Sequence, residues 1–198
     1  SGRVRAVNGN TPRPVPPRTE RERVVTAICY CEANFGAIDG KTANGLVRHS
    51  EKYKILSIID SKKAGLDSGA VLDGKDNNIP IYRDLSDALT HVETIPDCFI
   101  YGMAPASGRL SAAERSILRE AIALGMNIVS GLHEFLSEDD EFIAASTAMN
   151  VALIDVRKPR AKVDMRTFSG RIKDVTCPRI AVLGTDCAIG WRTIAPIL

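Results

Sequence analysis

Short apolar runs alternate with amphipathic stretches from residue 24 to residue 156. The runs at 24–30 (VVTAICY), 53–60 (YKILSIID), 79–82 (IPIY), 98–102 (CFIYG), 127–130 (NIVS) and 151–156 (VALIDV) predict six strands, most of them buried. Between them, periodic segments predict helices at 43–49, 85–92, 111–125 and 137–149. The third is marked most strongly. Ser111 and Glu114 form a capping box, Ile117, Leu118, Ala121 and Ile122 recur on one face, and Gly125 supplies a C-terminal stop. Ser137 is the expected cap of the fourth, with Glu138, Asp139 and Asp140 where the helix dipole favours acids. Regular alternation of strand and helix predicts an α/β fold, a mostly parallel sheet with helices on both faces. Ligands of such sheets sit beyond the carboxyl ends of the strands. That rule gathers residues 32–42, Asp60, residues 102–109, His133, Glu134 and Asp155 at one rim.

Composition divides the chain further. Residues 1–23 carry four prolines, six arginines and little that is apolar, a disordered or extended arm rather than part of a core. Residues 24–157 form the expected main domain and 158–178, basic and irregular, a linker. Residues 179–183 (RIAVL) run into a second glycine-bearing loop, so 179–198 is expected to open a further domain, truncated at residue 198 before it can bury a core. The net charge of +2 comes from the arm, where six arginines face Glu20 and Glu22, and the remainder is slightly acidic. A nucleic-acid-binding face is therefore not expected. No apolar run reaches the ~18 residues that span a bilayer, so the expectation is a soluble, cytoplasmic protein. Its expected partners are a small anionic ligand and further copies of itself in a homo-oligomer. The five cysteines suit reduced, buried thiols, and Cys29-x-Cys31 lacks partners at metal-ligand spacing, so no metal is expected.

Candidate chemistry begins after the first strand. Gly36, Gly40, Lys41 and Thr42 spell G-x-x-x-G-K-T, one residue short of a P-loop. Such a loop can cradle phosphate with backbone N–H groups, a helix N-terminus and a lysine. The alternative is that the glycines turn the chain and Lys41 is solvated. Asp60 ends the second strand, where dinucleotide-binding domains hold ribose hydroxyls, or it is a turn residue before Ser61. His133 and Glu134 begin like a zinc-protease motif, but Ser137 stands where the second histidine belongs. His133 is thus a candidate general base or a hydrogen-bonded structural histidine. Arg157, Lys158 and Arg160 read as a solvated linker able to meet an anionic coenzyme.

Several blocks in order, CEANFGAIDGKTANGLVRHSEKYKILSIIDSKKAG, IYGMAPASGRL, NIVSGLHEFLSEDD, LIDVRKP and VLGTDCAIG, closely resemble a bacterial and archaeal family long catalogued as of unknown function. In it a Rossmann-like N-terminal domain precedes a C-terminal P-loop domain, and some members are D-glutamate N-acetyltransferases that use acetyl-CoA. The resemblance implies a role for Gly36, Gly40, Lys41 and Thr42 in holding acetyl-CoA or a nucleotide. Its second loop maps onto Gly184, Thr185, Asp186, Gly190 and Thr193. Trp191 replaces the lysine there and Ile194 a threonine, so this loop is expected to be a degenerate P-loop. Acetyl transfer to an amine needs a base and donors for an oxyanion. His133 or Glu32 is the candidate base, Arg109 the candidate carboxylate clamp, and the N–H groups near Gly36 or Gly102 the candidate oxyanion donors. Cys31, as an acyl-accepting nucleophile, is unsupported by any neighbouring histidine. The implied function is the ligand-binding N-terminal domain of an acetyltransferase-like protein, inactive by itself. The alternatives are a non-catalytic nucleotide- or phosphate-binding module and, suggested by Asp60, an NAD(P)-dependent oxidoreductase domain.

Overall fold

A computed structural model describes residues 24–105, 108–159 and 169–176. The arm and the P-loop-like loop, including Gly184, Thr185, Asp186, Gly190 and Thr193, lie outside the described residues. The chain divides into two units, Ser1–Lys158 and Pro159–Leu198. In the second, Arg171–Asp174 form a single 3-10 turn.

The first unit is a six-stranded parallel sheet: β1 (Val25–Tyr30), β2 (Tyr53–Ile59), β3 (Ile81–Tyr82), β4 (Cys98–Tyr101), β5 (Asn127–Ser130) and β6 (Leu153–Asp155). Their order is β3-β2-β1-β4-β5-β6, and every pair is parallel. The chain therefore leaves β1 in one direction through β2 and β3, then crosses back to β4 and continues the other way. This is the Rossmann order, with its switch point between β1 and β4. The helices are α1 (Lys41–His49), α2 (Ser68–Asp73), α3 (Leu85–Leu89), α4 (Ala112–Ala123) and α5 (Asp140–Met149). Right-handed crossovers running in opposite directions place α1 and α2 on one face and α4 and α5 on the other.

Coverage of both faces explains the uninterrupted apolar runs. Ala27, Ile28, Cys29 and Tyr30 in β1 and all of Cys98–Tyr101 in β4 are buried, and Leu118, Ala121 and Ile122 of α4 close the second face. Gly102, just past β4, is required by closeness: an added Cβ would stand 2.5 Å from Cys29 Sγ and 2.8 Å from Ala43 Cβ. The capping box of α4 forms as expected. Ser137, the expected cap of α5, does not cap it. Ser137 N donates to Asp155, residues Leu136–Glu138 tighten into a 3-10 turn, and the cap is Asp139, whose carboxylate accepts from the amides of Glu141 and Phe142. Among the described residues no helix is long and apolar enough to cross a membrane.

Candidate functional site

The loop after β1 descends in three tight turns, with Asn34 N donating to Cys31 O (3.1 Å), Ala37 N to Asn34 O (2.9 Å) and Gly40 N to Ala37 O (3.2 Å). Gly36 turns it with φ +80°, a left-handed conformation that favours glycine. Its N–H donates to Asn44 Oδ1 at 2.9 Å, while Asn44 Nδ2 holds Ala37 O. Gly40 is buried where an added Cβ would lie 2.1 Å from Asn34 O. Lys41 N donates to Ile38 O and Ala43 N to Gly102 O (3.0 Å). The amides expected to cradle phosphate are thus largely spent inside the fold. Gly36 and Gly102, expected to face an oxyanion, are corrected on the same ground, because Gly102 N donates to Tyr30 O at 2.8 Å. Lys41 and Thr42 also part company. Lys41 lines a polar cleft at the rim, whereas Thr42 lines an apolar groove with Leu46, Ile100, Val129 and Val156.

Asp60 is the second correction. It is fully buried, and its Oδ1 accepts from Ala33 N (3.1 Å) and Lys62 N (2.9 Å) and its Oδ2 from Phe35 N (3.1 Å), with Lys63 Nζ 3.6 Å away. Both oxygens fasten the first loop, leaving no face for a ribose and removing the observation that suggested a nicotinamide cofactor. Asp155 does the same for the loop after β5, accepting from Leu136 N (3.1 Å) and Ser137 N (2.9 Å).

The rim that remains open has two regions of opposite charge. On one side Lys41, His133 and Arg157 line a cleft of ≈ 470 Å³, closed by Ala104, Pro105 and Gly131 and lined by no acid among the described residues. His133 also lines a neighbouring cleft of ≈ 410 Å³ with Gly108, Arg109 and Glu134. Arg157 Nη1 lies 3.1 Å from His133 Nε2. A guanidinium can only donate, so Nε2 accepts and the imidazole proton sits on Nδ1. Glu134 is engaged, accepting from Leu110 N (3.1 Å) and standing 3.8 Å from Arg115. Arg115 also pairs with Asp139 (2.8 Å) and Glu141 (2.5 Å), a structural knot between α4 and α5. On the other side Tyr30, Glu32, Asp39 and Glu114 line a cleft of ≈ 250 Å³. Glu32 accepts from Ser61 N (2.8 Å) and Ser61 Oγ (2.5 Å). Cys31 is buried, and burial first, then the charge of Asp60, pushes its thiol up to about 12, so it is no nucleophile.

The sequence matches the family described as "Domain of unknown function (DUF1611_N) Rossmann-like domain" over residues 61–159, half of the chain. The chain belongs to the DUF1611_N family. A D-glutamate N-acetyltransferase of Pseudoalteromonas sp. is 37% identical to it over 92 residues, 46% of this chain and 26% of that protein. Another, of Tritonibacter scottomollicae, is 29% identical over 91 residues, again 46% of this chain and 26% of that protein. The crystal structure of a DUF1611 family protein from Anabaena variabilis ATCC 29413 superposes with a TM-score of 0.72 at 28% identity, covering 84% of this chain and 46% of that one. The chain therefore spans about a quarter of the length of the curated relatives it matches and less than half of the Anabaena protein.

The segment matched to the DUF1611_N domain contains Gly102, Arg109, His133, Glu134 and Arg157, and it begins just after Asp60. Of the expected residues, the fold brings Lys41, His133 and Arg109 to adjoining clefts. It separates the two candidate bases: Glu32 lines the acidic cleft and His133 the basic ones. Arg157, read from sequence as a linker charge, follows β6 directly and becomes a wall of the basic cleft. Lys158 turns away to Ser137 Oγ (2.7 Å) and Glu138 (3.1 Å).

Proposed function

We propose that this DUF1611_N chain is the Rossmann-like, ligand-binding part of a protein related to the D-glutamate N-acetyltransferases, and that its basic cleft receives the anionic end of acetyl-CoA. The observation that carries this reading is the gathering of Lys41, His133 and Arg157 around one cleft at the carboxyl edge of a parallel sheet. Its donor set fits phosphate: an ammonium as a point charge and a guanidinium as a planar fork. The thioester supplies an activated acetyl group, and the acceptor amine must lose a proton as its bond to the acetyl carbon forms and the carbon–sulfur bond breaks. His133 is the base of this reading. Arg157 occupies its Nε2, so an anion that draws the guanidinium away opens that nitrogen to a proton.

A second reading, a nucleotide- or phosphate-binding module without chemistry of its own, is favoured by the separation of Glu32 from His133 and by the occupied Nε2. Thermal unfolding with acetyl-CoA, ATP or inorganic phosphate, repeated on Lys41→Ala and Arg157→Ala, separates the two. A ligand at ~100 times its Kd adds about 2.7 kcal/mol, which raises the midpoint of a chain this size by roughly 5–11 °C. Stabilisation by acetyl-CoA that both variants lose supports the first reading. Stabilisation by ATP or phosphate without acetyl-CoA supports the second, and a shift that persists in both variants overturns the assignment of the cleft.

A further inference from the structure

His133 lines both clefts on the basic side of the rim, and charged groups reach it from several elements. From the segment after β6, Arg157 Nη1 faces its Nε2 at 3.1 Å. Lys41, the first residue of α1, lines the larger cleft with it. Arg109, from the loop after β4, lines the smaller one. On its own loop, Glu134 is engaged by the Leu110 amide and Arg115. The remaining charges of this corner are turned to structural work. Asp155 holds the amides of Leu136 and Ser137, and Lys158 pairs with Ser137 Oγ and Glu138.

The Arg157 contact constrains a proton. A guanidinium only donates, so the contact at Nε2 needs the lone pair on that nitrogen and is broken when the nitrogen is protonated. Two positive groups would then also face each other at contact distance and repel. An anion reverses both effects. It draws the guanidinium, whose planar fork matches the oxygens of a phosphate or sulfate, and it sets negative charge beside the ring, where a protonated Nε2 donates to it. Arg157 and His133 are both exposed, so the guanidinium can change partners without disturbing the core.

We propose that anion binding in the larger cleft and proton uptake at His133 Nε2 are coupled, with Arg157 switching between the imidazole and the anion. This inference rests on the reading that the cleft receives an anion, and it adds how that site is regulated. The proton comes from solvent, and no covalent bond between heavy atoms changes. Such coupling is reciprocal: the anion raises the proton affinity of Nε2 by the same factor by which protonation raises the affinity for the anion. If the anion is the phosphate end of acetyl-CoA, the coenzyme strengthens the base that its own reaction needs, and does so only once it is bound.

The probe is sulfate, which unlike phosphate stays a dianion throughout the range in which an imidazole changes charge. NMR shifts of the Gly131, Leu132 and His133 amides report its binding at constant ionic strength. Affinity should rise by at least about fivefold from about pH 8 to about pH 5.5, the lower end of ordinary coupling. His133→Gln keeps an acceptor for Arg157 but cannot titrate, so it should lose most of that rise. At neutral pH, sulfate should move the His133 ring protons toward their protonated positions and leave those of His49 and His91, the other histidines of the chain, in place. Arg157→Ala should bind sulfate more weakly and with a shallower pH dependence. The side chains replaced are exposed, so these variants keep the fold. If sulfate fails to bind, or binds equally well to Lys41→Ala, the reading of the cleft falls and this inference falls with it. If binding depends on Lys41 but its rise at low pH is unchanged in His133→Gln or in Arg157→Ala, the coupling alone is overturned.

Discussion

Replacing Asp60 with asparagine separates the two roles that a strand-ending acid can play. In the native chain Oδ1 holds Ala33 N and Lys62 N, and Oδ2 holds Phe35 N beside Lys63 Nζ. Asparagine keeps one acceptor oxygen and turns an NH2 group toward the other donors. With its oxygen in the Oδ1 position, two bonds survive in neutral form. The Phe35 N–H then faces a donor in a fully buried place. Loss of one charge-assisted bond, weakening of two others and an unsatisfied buried amide come to about 3 kcal/mol. For a chain of this size that is a fall in Tm of roughly 6–12 °C. Equilibrium urea unfolding followed by far-UV circular dichroism measures it, with an unchanged m-value marking a true stability change. Hydrogen exchange should quicken first at Phe35. If Asp60 were instead a ribose ligand, the variant would keep its stability and lose nucleotide binding. A stability within about 0.5 kcal/mol of the unaltered chain, the usual range of surface changes, would refute the loop-fastening role.

Two further outcomes follow from local geometry. Gly40→Ala forces a Cβ to 2.1 Å from Asn34 O and 2.9 Å from Cys31 Sγ, and backbone cannot step aside cheaply, so it should cost about 3 kcal/mol. Gly45→Ala, inside α1 with nothing within 4 Å of the added Cβ, should stabilise by roughly 0.5–1 kcal/mol; the pair is read in one set of urea titrations. Burial alone would raise the Asp139 carboxyl, but the hydrogen bond from Arg115 and those from the Phe142 and Glu141 amides outweigh it and hold the group below the usual carboxylate range. A depressed folded value means stability that is present above the unfolded value, near pH 4, and lost as pH falls through the folded one. Asp139→Asn should therefore lower stability at neutral pH and flatten its decline below about pH 4, measured as Tm against pH.

The strands were legible because a sheet covered on both faces demands unbroken apolar runs. β5 begins and ends at the residues read from sequence, Asn127 and Ser130, and β4 stops one residue short of its predicted end. β3 starts only at Ile81 because Pro80 has no N–H to donate to a ladder; residue 80 instead bridges Asp67. The helix α2 was missed, since residues 61–78 carry few apolar positions and its formation rests on Asp67 capping Gly69 and Ala70. The cap of α5 moved from Ser137 to Asp139 because a distant acid, Asp155, had already taken the Ser137 amide. Local capture likewise hid that the amides of the glycine loop are occupied. G-x-x-x-G-K-T shows donors in a row, but not that Asn44, Ala37 and Ile38 have already accepted them. Nor does a string of letters show that successive helical residues turn by about 100°, which sends Lys41 and Thr42 to different clefts. Arg157 was hidden for a related reason: a basic run looks solvated until the end of β6 sets it against His133.

The central place of β1 also bears on how this chain is made. One neighbour, β2, follows within a single crossover, but the other, β4, pairs with Ala27–Tyr30 only after the whole β2–α3 segment has been synthesised. The Asp97 carboxylate that ties Thr26 is 71 residues away. At ribosomal speeds of ~5–20 residues per second, that separation corresponds to about 4–14 s. Through that interval the nascent polypeptide presents one edge of an apolar strand with open backbone donors and acceptors. Such an edge is the kind of extended apolar segment that holding chaperones bind, and a slow stretch of codons after β2 would lengthen its exposure.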